Sequence, residues 1–132
     1  MKIVYYVSGH GFGHISRSYP IIQEFLNRKV EVFLVTERKG FLDSIPENLF
    51  IREVSTDLGV YQKSSLEVDV DKTKKALIDF YKNYNNLYNS EKKYLNEIKP
   101  DFIISDSSSF PFLLAKELKI PAYFIGNFTW DF

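Results

Sequence analysis

Two hydrophobic patterns alternate along the chain. Residues 2–7 (KIVYYV) form an apolar run rich in Val and Tyr, closed by Ser8-Gly9, and read as a strand buried on both faces. Residues 13–28 then carry Ile15, Tyr19, Ile22, Phe25 and Leu26 at helical spacing, with Pro20 in the second turn, where it costs a hydrogen bond or bends the helix. Residues 30–36 predict a second buried strand, residues 40–45 a short helix stopped near Pro46, and residues 50–54 a third strand. Residues 55–71 show no period and are expected to form a long loop. From residue 72 to 99 apolar positions recur every three or four residues, which predicts a long amphipathic helix ended by Pro100. A fourth strand (102–105), a helix (110–118) and a fifth strand (122–125), opened by Pro121, complete the series.

Strands without polar alternation, separated by helices, predict a parallel sheet covered on both faces. Right-handed crossovers give a Rossmann-like α/β layout with strand order 3-2-1-4-5. The chain has 132 residues, enough for a single domain, and 45% of them are hydrophobic, enough for a core. Lys and Arg (17) balance Asp and Glu (17), so no overall basic field draws in nucleic acid. Cysteine is absent, which excludes disulfides and thiolate metal sites. The N-terminal apolar run is too short for a signal sequence or a membrane span, so a cytoplasmic protein is expected.

The candidate chemistry lies where the first strand meets the first helix, at Ser8-Gly9-His10-Gly11-Phe12-Gly13-His14. Three glycines permit positive φ and close approach of a ligand, and the helix start beyond them presents N–H groups and the positive end of a dipole. Such a turn also resembles a dinucleotide fingerprint, with Glu37 as the acid ending strand two, although its third glycine comes one residue early. The chain's two histidines, His10 and His14, flank this turn. His14, in the first helical turn, is the candidate base, since a helix N-terminus disfavours a second proton on the ring. A base needs its other nitrogen held, and Asp106, at the end of the fourth strand, is the candidate orienting carboxylate. In a 3-2-1-4-5 sheet strands one and four are neighbours at the switch point where ligands bind. Asp106 could instead cap the following helix, as could Ser107, Ser108 or Ser109. Gly9, His10, Gly11, Gly13, Arg17, Ser107, Asn127 and Trp130 are the candidate substrate-binding residues. Arg17 either reaches an acidic group of a ligand or is solvated. Trp130 packs over a sugar ring or covers a domain interface. Tyr81, Tyr84 and Tyr88 fit core and rim better than a sugar platform, and residues 110–114 fit a buried helix face better than a membrane-touching patch.

These residues carry a resemblance. Residues 9–14, with a His at the first helix and an Asp after strand four, look like the N-terminal domain of GT-B glycosyltransferases. The turn is similar to that of the bacterial enzyme that adds N-acetylglucosamine to lipid I, and Gly13-His14-Ile15-Ser16 to the Gly-His segment of plant UDP-glycosyltransferases. Residues 100–106 and 114–121 also follow the plant enzymes, while residues 9–14 and 127–132 resemble the glycosyltransferase-like domain of plant arabinose kinases. Residues 55–99 add nothing to the resemblance. The resemblance implies one half of a GT-B fold, residues 1–132 forming the acceptor-binding domain. A donor-binding C-terminal domain is expected to lie beyond it or on a separate subunit, and this half alone is expected to be inactive. His14 would take a proton from the hydroxyl of a sugar or lipid-linked acceptor, Asp106 would orient His14, and the sugar would transfer with inversion. The resemblance asks for no metal and no resident cofactor, only a nucleotide-sugar co-substrate; a lipid-linked acceptor would bring the protein to the inner membrane surface as a peripheral partner. The plant enzymes carry Pro where this chain has Arg17. Two competing readings remain: a non-catalytic sugar- or nucleotide-binding module of the same fold, and a dinucleotide-binding oxidoreductase fragment.

Overall fold

The computed structural model describes residues 1–10, 12–37 and 44–126. Its elements run β1 (Lys2–Val7), α1 (Gly13–Asn27), β2 (Glu31–Val35), β3 (Leu49–Arg52), β4 (Gln62–Ser64), β5 (Glu67–Val68), α2 (Val70–Ile98), β6 (Phe102–Asp106), α3 (Phe110–Leu118) and β7 (Ala122–Ile125). Five strands make one parallel sheet in the order β3-β2-β1-β6-β7, the predicted 3-2-1-4-5 arrangement. Central β1 is buried on both faces, which explains its unbroken apolar run. Ile3, Tyr5 and Val7 point to the side covered by α1, through Ile15, Ile22 and Leu26. Val4 and Tyr6 point to the side covered by α2 and α3, through Leu95, Phe110 and Leu114.

The expected loop over residues 55–71 is corrected in part. A small antiparallel hairpin, β4-β5, forms inside it, and α2 begins at Val70. Both hairpin strands are exposed, so their apolar positions carry no burial period for the sequence to display. The Asp69 side chain caps α2 by accepting from the Lys72 N–H at 3.0 Å, which sets the helix start earlier than its apolar stripe does. At the other end Lys99 takes a left-handed conformation (φ 51°) and Pro100 follows. Helix α1 continues through Pro20. The short helix expected over residues 40–45 falls largely outside the described residues.

Only the C-terminal part of α2 is sunk in the molecule. Glu91 is fully buried and accepts from the Tyr6 hydroxyl (3.1 Å) and from Arg52 Nε (2.8 Å), joining α2 to β1 and β3. The more exposed N-terminal part of α2 lines a cleft with Leu77, Phe80, Tyr81 and Tyr84.

Candidate functional site

The strand order reverses between β1 and β6, and the loops leaving these strands diverge there. Val7 pairs with Asp106 across the sheet, so the glycine turn and the Asp106 carboxylate share one edge. The Ser8 N–H donates to the Asp106 carbonyl at 3.4 Å, tying the two loops together. This crevice opens into a cavity of about 600 Å³. Its floor includes Ser8, His10, His14 and Ser107, and its wall includes Tyr81 and Tyr84 of α2.

Asp106 is completely buried and surrounded by donors. His14 Nδ1 lies 2.9 Å from Oδ1; Arg17 donates through Nε (3.1 Å) to Oδ2 and through Nη2 (2.5 Å) to Oδ1. The Ser18 hydroxyl donates to Oδ2 at 2.6 Å and the Ser107 hydroxyl to Oδ1 at 3.1 Å. Burial alone would raise this carboxyl, but hydrogen bonds from Arg17, Ser18 and His14 outweigh it and hold the group below the ordinary carboxylate value. An ionised Asp106 only accepts, so His14 Nδ1 carries the proton of this pair and Nε2 is left as the basic nitrogen. Asp106 does not cap α3, whose N-cap is Ser109 with no side-chain capping bond.

The helical spacing of α1 explains the cluster. His14, Arg17 and Ser18 lie within four residues of one another and so share a face directed at β6. Arg17 lines the cavity while its guanidinium pairs with Asp106, and that hydrogen bond raises its own pKa. Ser107 adopts φ 71°, the left-handed region that costs a non-glycine residue about 1–2 kcal/mol. That backbone sets its hydroxyl 3.2 Å from His14 Nδ1.

Neither Gly9 nor Gly13 has a positive φ. Gly9 is needed for close approach instead, since a Cβ there would lie 2.1 Å from Cγ of Glu37. A Cβ at Gly13 would meet nothing within 4 Å, so the helix start faces open space. His10 lines the cavity with its ring packed on Gly59, and its Nε2 has no hydrogen-bond partner among the described residues. Gly11, Asn127 and Trp130 lie outside the described residues.

One charged residue of the site escaped the sequence reading. Asp57 lines the cavity from the loop after β3, accepts a hydrogen bond from the Ser8 side chain, and feels both His10 and His14. Burial raises its pKa, only partly offset by Ser8 and the histidines, and Glu37 raises it further. The available signal was positional: an acid just beyond the carboxyl end of a parallel strand lies where such sheets bind ligands. Among the described residues no cluster of three or more His, Cys, Asp or Glu could hold a metal, and no helix is long and apolar enough to cross a membrane.

A parallel sheet of this order, with a histidine and an aspartate meeting at its switch point, defines a Rossmann-like domain of the kind that forms one half of a GT-B fold. The model of a family described as glycosyl transferase family 1 matches residues 1–130, and the chain belongs to that family. It is 30% identical to an L-arabinokinase of Arabidopsis thaliana over 136 residues, which cover 100% of this chain and 13% of that protein. It is 29% identical to an uncharacterized glycosyltransferase of Methanosarcina acetivorans, covering 96% of this chain and 33% of the relative. Among solved structures it superposes on Phytolacca americana UGT2, complexed with UDP-2fluoro-glucose and pterostilbene, with TM-score 0.64 at 16% identity, covering 97% of this chain and 31% of the other. It superposes on Acinetobacter baumannii MurG with TM-score 0.60 at 15% identity, covering 95% and 35%. The chain therefore spans a third or less of the curated relatives it matches. Family membership removes the reading as an oxidoreductase fragment.

Proposed function

We propose that this domain is the acceptor side of an inverting glycosyltransferase and that His14 is its base. The observation that carries this reading is the 2.9 Å contact between His14 Nδ1 and Asp106 at the switch point, on a cavity that could hold an acceptor. The acceptor hydroxyl gives its proton to His14 Nε2. Its oxygen forms a bond to the anomeric carbon of a nucleotide-sugar, and the bond from that carbon to the diphosphate breaks, leaving the electron pair on phosphate. Attack from the opposite face inverts the configuration. Because Arg17 already compensates the Asp106 charge, Asp106 acts on His14 chiefly by fixing its tautomer and orientation. The reading asks for no metal ion or resident cofactor. The donor is assigned to a second Rossmann-like half, on the same chain or another.

A second reading is a sugar-binding module without transfer, favoured by the 30% identity to a protein named for a kinase activity. Both readings are tested with the full-length protein, a panel of sugar nucleotides and candidate acceptors. His14→Ala is expected to lower the transfer rate by roughly 10²–10⁴-fold with acceptor binding retained. Transfer undiminished in that variant rejects His14 as the base; binding without transfer in the unaltered protein supports the module.

A further inference from the structure

Asp106, buried behind the cavity lining, and Asp57, which lines the cavity, differ in what they have left to give. Asp106 receives donors from His14, Arg17, Ser18 and Ser107, which exhausts the roughly four lone-pair sites of a carboxylate. It cannot also accept from a ligand. Asp57 accepts from the Ser8 side chain, and among the described residues no Lys or Arg pairs with it. Asp57 lines the cavity with acceptor capacity to spare.

The loop that carries Asp57 is fixed. Thr56, beside it, is buried and donates through Oγ1 to the Ser108 hydroxyl at 3.2 Å, while Ser108 Oγ donates to the Thr56 carbonyl at 3.2 Å. The Ser105 hydroxyl holds the Ser108 carbonyl at 2.7 Å. On the other flank Gly59 lies against the His10 ring so closely that a Cβ would come within 2.5 Å of it. The loop after β3 is thus clamped between the β6–α3 loop and the glycine turn. His10 Nε2, without a partner among the described residues, adds a second hydrogen-bonding atom at this clamp.

Opposite this polar floor stands the aromatic face of α2. Tyr81 and Tyr84 stack at 6.2 Å with an interplanar angle of 28°, and Tyr81 is 68% exposed. A flat ring surface facing a carboxylate with spare acceptor capacity suits a molecule with one apolar face and several hydroxyls. Arg17 also lines the cavity, with its charge compensated by Asp106.

Resting on the reading of His14 as base, we propose that Asp57 binds a second hydroxyl of the acceptor and makes the site select a sugar over a monohydroxylic alcohol or phenol. The sugar's apolar face lies on Tyr81 while one hydroxyl meets His14 and another meets Asp57. A site built to bond a hydroxyl rejects analogues that lack it, because its own polar group is left unpaired.

The test is a binding titration by NMR on the full-length protein. The sugar probes are methyl α-glucopyranoside, methyl α-galactopyranoside and methyl β-xylopyranoside with their monodeoxy derivatives; the monohydroxylic probes are cyclohexanol and 4-methoxyphenol. At least one glycoside is expected to bind about tenfold or more tightly than either monohydroxylic probe, and one deoxy position to lose about tenfold. In Asp57→Asn and Asp57→Ala the parent glycoside and that deoxy derivative should bind equally, while the monohydroxylic probes are unchanged. Monohydroxylic probes binding as tightly as every glycoside, or a deoxy penalty that survives in both Asp57 variants, overturns the proposal. The probe series on the unaltered protein can overturn the proposal even if a variant fails to fold. His14→Ala separates the two readings: undiminished transfer in it with an Asp57-dependent glycoside preference sinks only the base assignment, whereas lost transfer in it with Asp57-independent binding sinks only this inference.

Discussion

Asp106 and Asp57 lie on one crevice, and their surroundings move them in opposite directions. Burial pushes both carboxyls up, but at Asp106 the hydrogen bonds from Arg17, Ser18 and His14 reverse the outcome. The consequences for stability have opposite signs. The contribution of Asp106 is fully present above the ordinary carboxylate value of about 3.9 and is lost as pH falls through its lowered pKa. Asp57 retains in the native state a proton that the unfolded chain releases, so it makes stability fall as pH rises from about 3.9 through its raised value. Urea unfolding across that range is expected to show Asp57→Asn without this decline, and at neutral pH at least as stable as the parent. Asp106→Asn is expected to lose about 3–5 kcal/mol at neutral pH, because Arg17 keeps its charge without its partner, and less in acid. An Asp57→Asn protein that still loses stability over this window shows that its carboxyl is not the group responsible. Asp57 is then a residue whose stability cost fits a binding role better than a structural one.

Helix α2 divides its work along its length. Its C-terminal part is packed by Leu95 and by Glu91, whose buried carboxylate takes Tyr6 and Arg52; the Arg52 guanidinium also lies 4.5 Å over the Tyr94 ring. Burial and the nearby Glu91 push the Tyr94 phenol up to about 12 although Arg52 opposes them. Its N-terminal part carries no buried residue and presents Leu77, Tyr81 and Tyr84 to the cavity. A long helix fixed at one end can set the height of the cleft roof without filling the cleft. Glu91→Ala is expected to cost about 3–5 kcal/mol, since it strands a partly buried cation and a buried phenol. Glu24→Ala, which breaks only the exposed pair with Arg28, should cost under about 1 kcal/mol. Equal losses in a denaturation series would show that Glu91 does not anchor the helix.

At the scale of the molecule, stability and chemistry occupy different places. The sheet and its two apolar layers form the rigid part, and the crevice at the strand ends carries the polar clusters. Native-state hydrogen exchange should be slowest in β1, β2 and β6 and fastest in the exposed β4-β5 hairpin, and protection of that hairpin equal to β1 would contradict this division. The sequence by itself determined the elements with a strong period: the buried runs of β1, β2 and β6, the amphipathic stripe of α2, and the right-handed windings that set the strand order. It also singled out His14 and Asp106, because the topological rule places the ends of β1 and β6 side by side. Three things were decided only by tertiary structure. Arg17, which lines the cavity, paired with Asp106, because a buried carboxylate must be compensated and a pairing across the fold leaves no periodic trace. The hairpin formed where no burial pattern announced it. Asp57 became part of the site because Thr56 and Ser108 clamp its loop, a contact between residues 52 apart that no local propensity encodes.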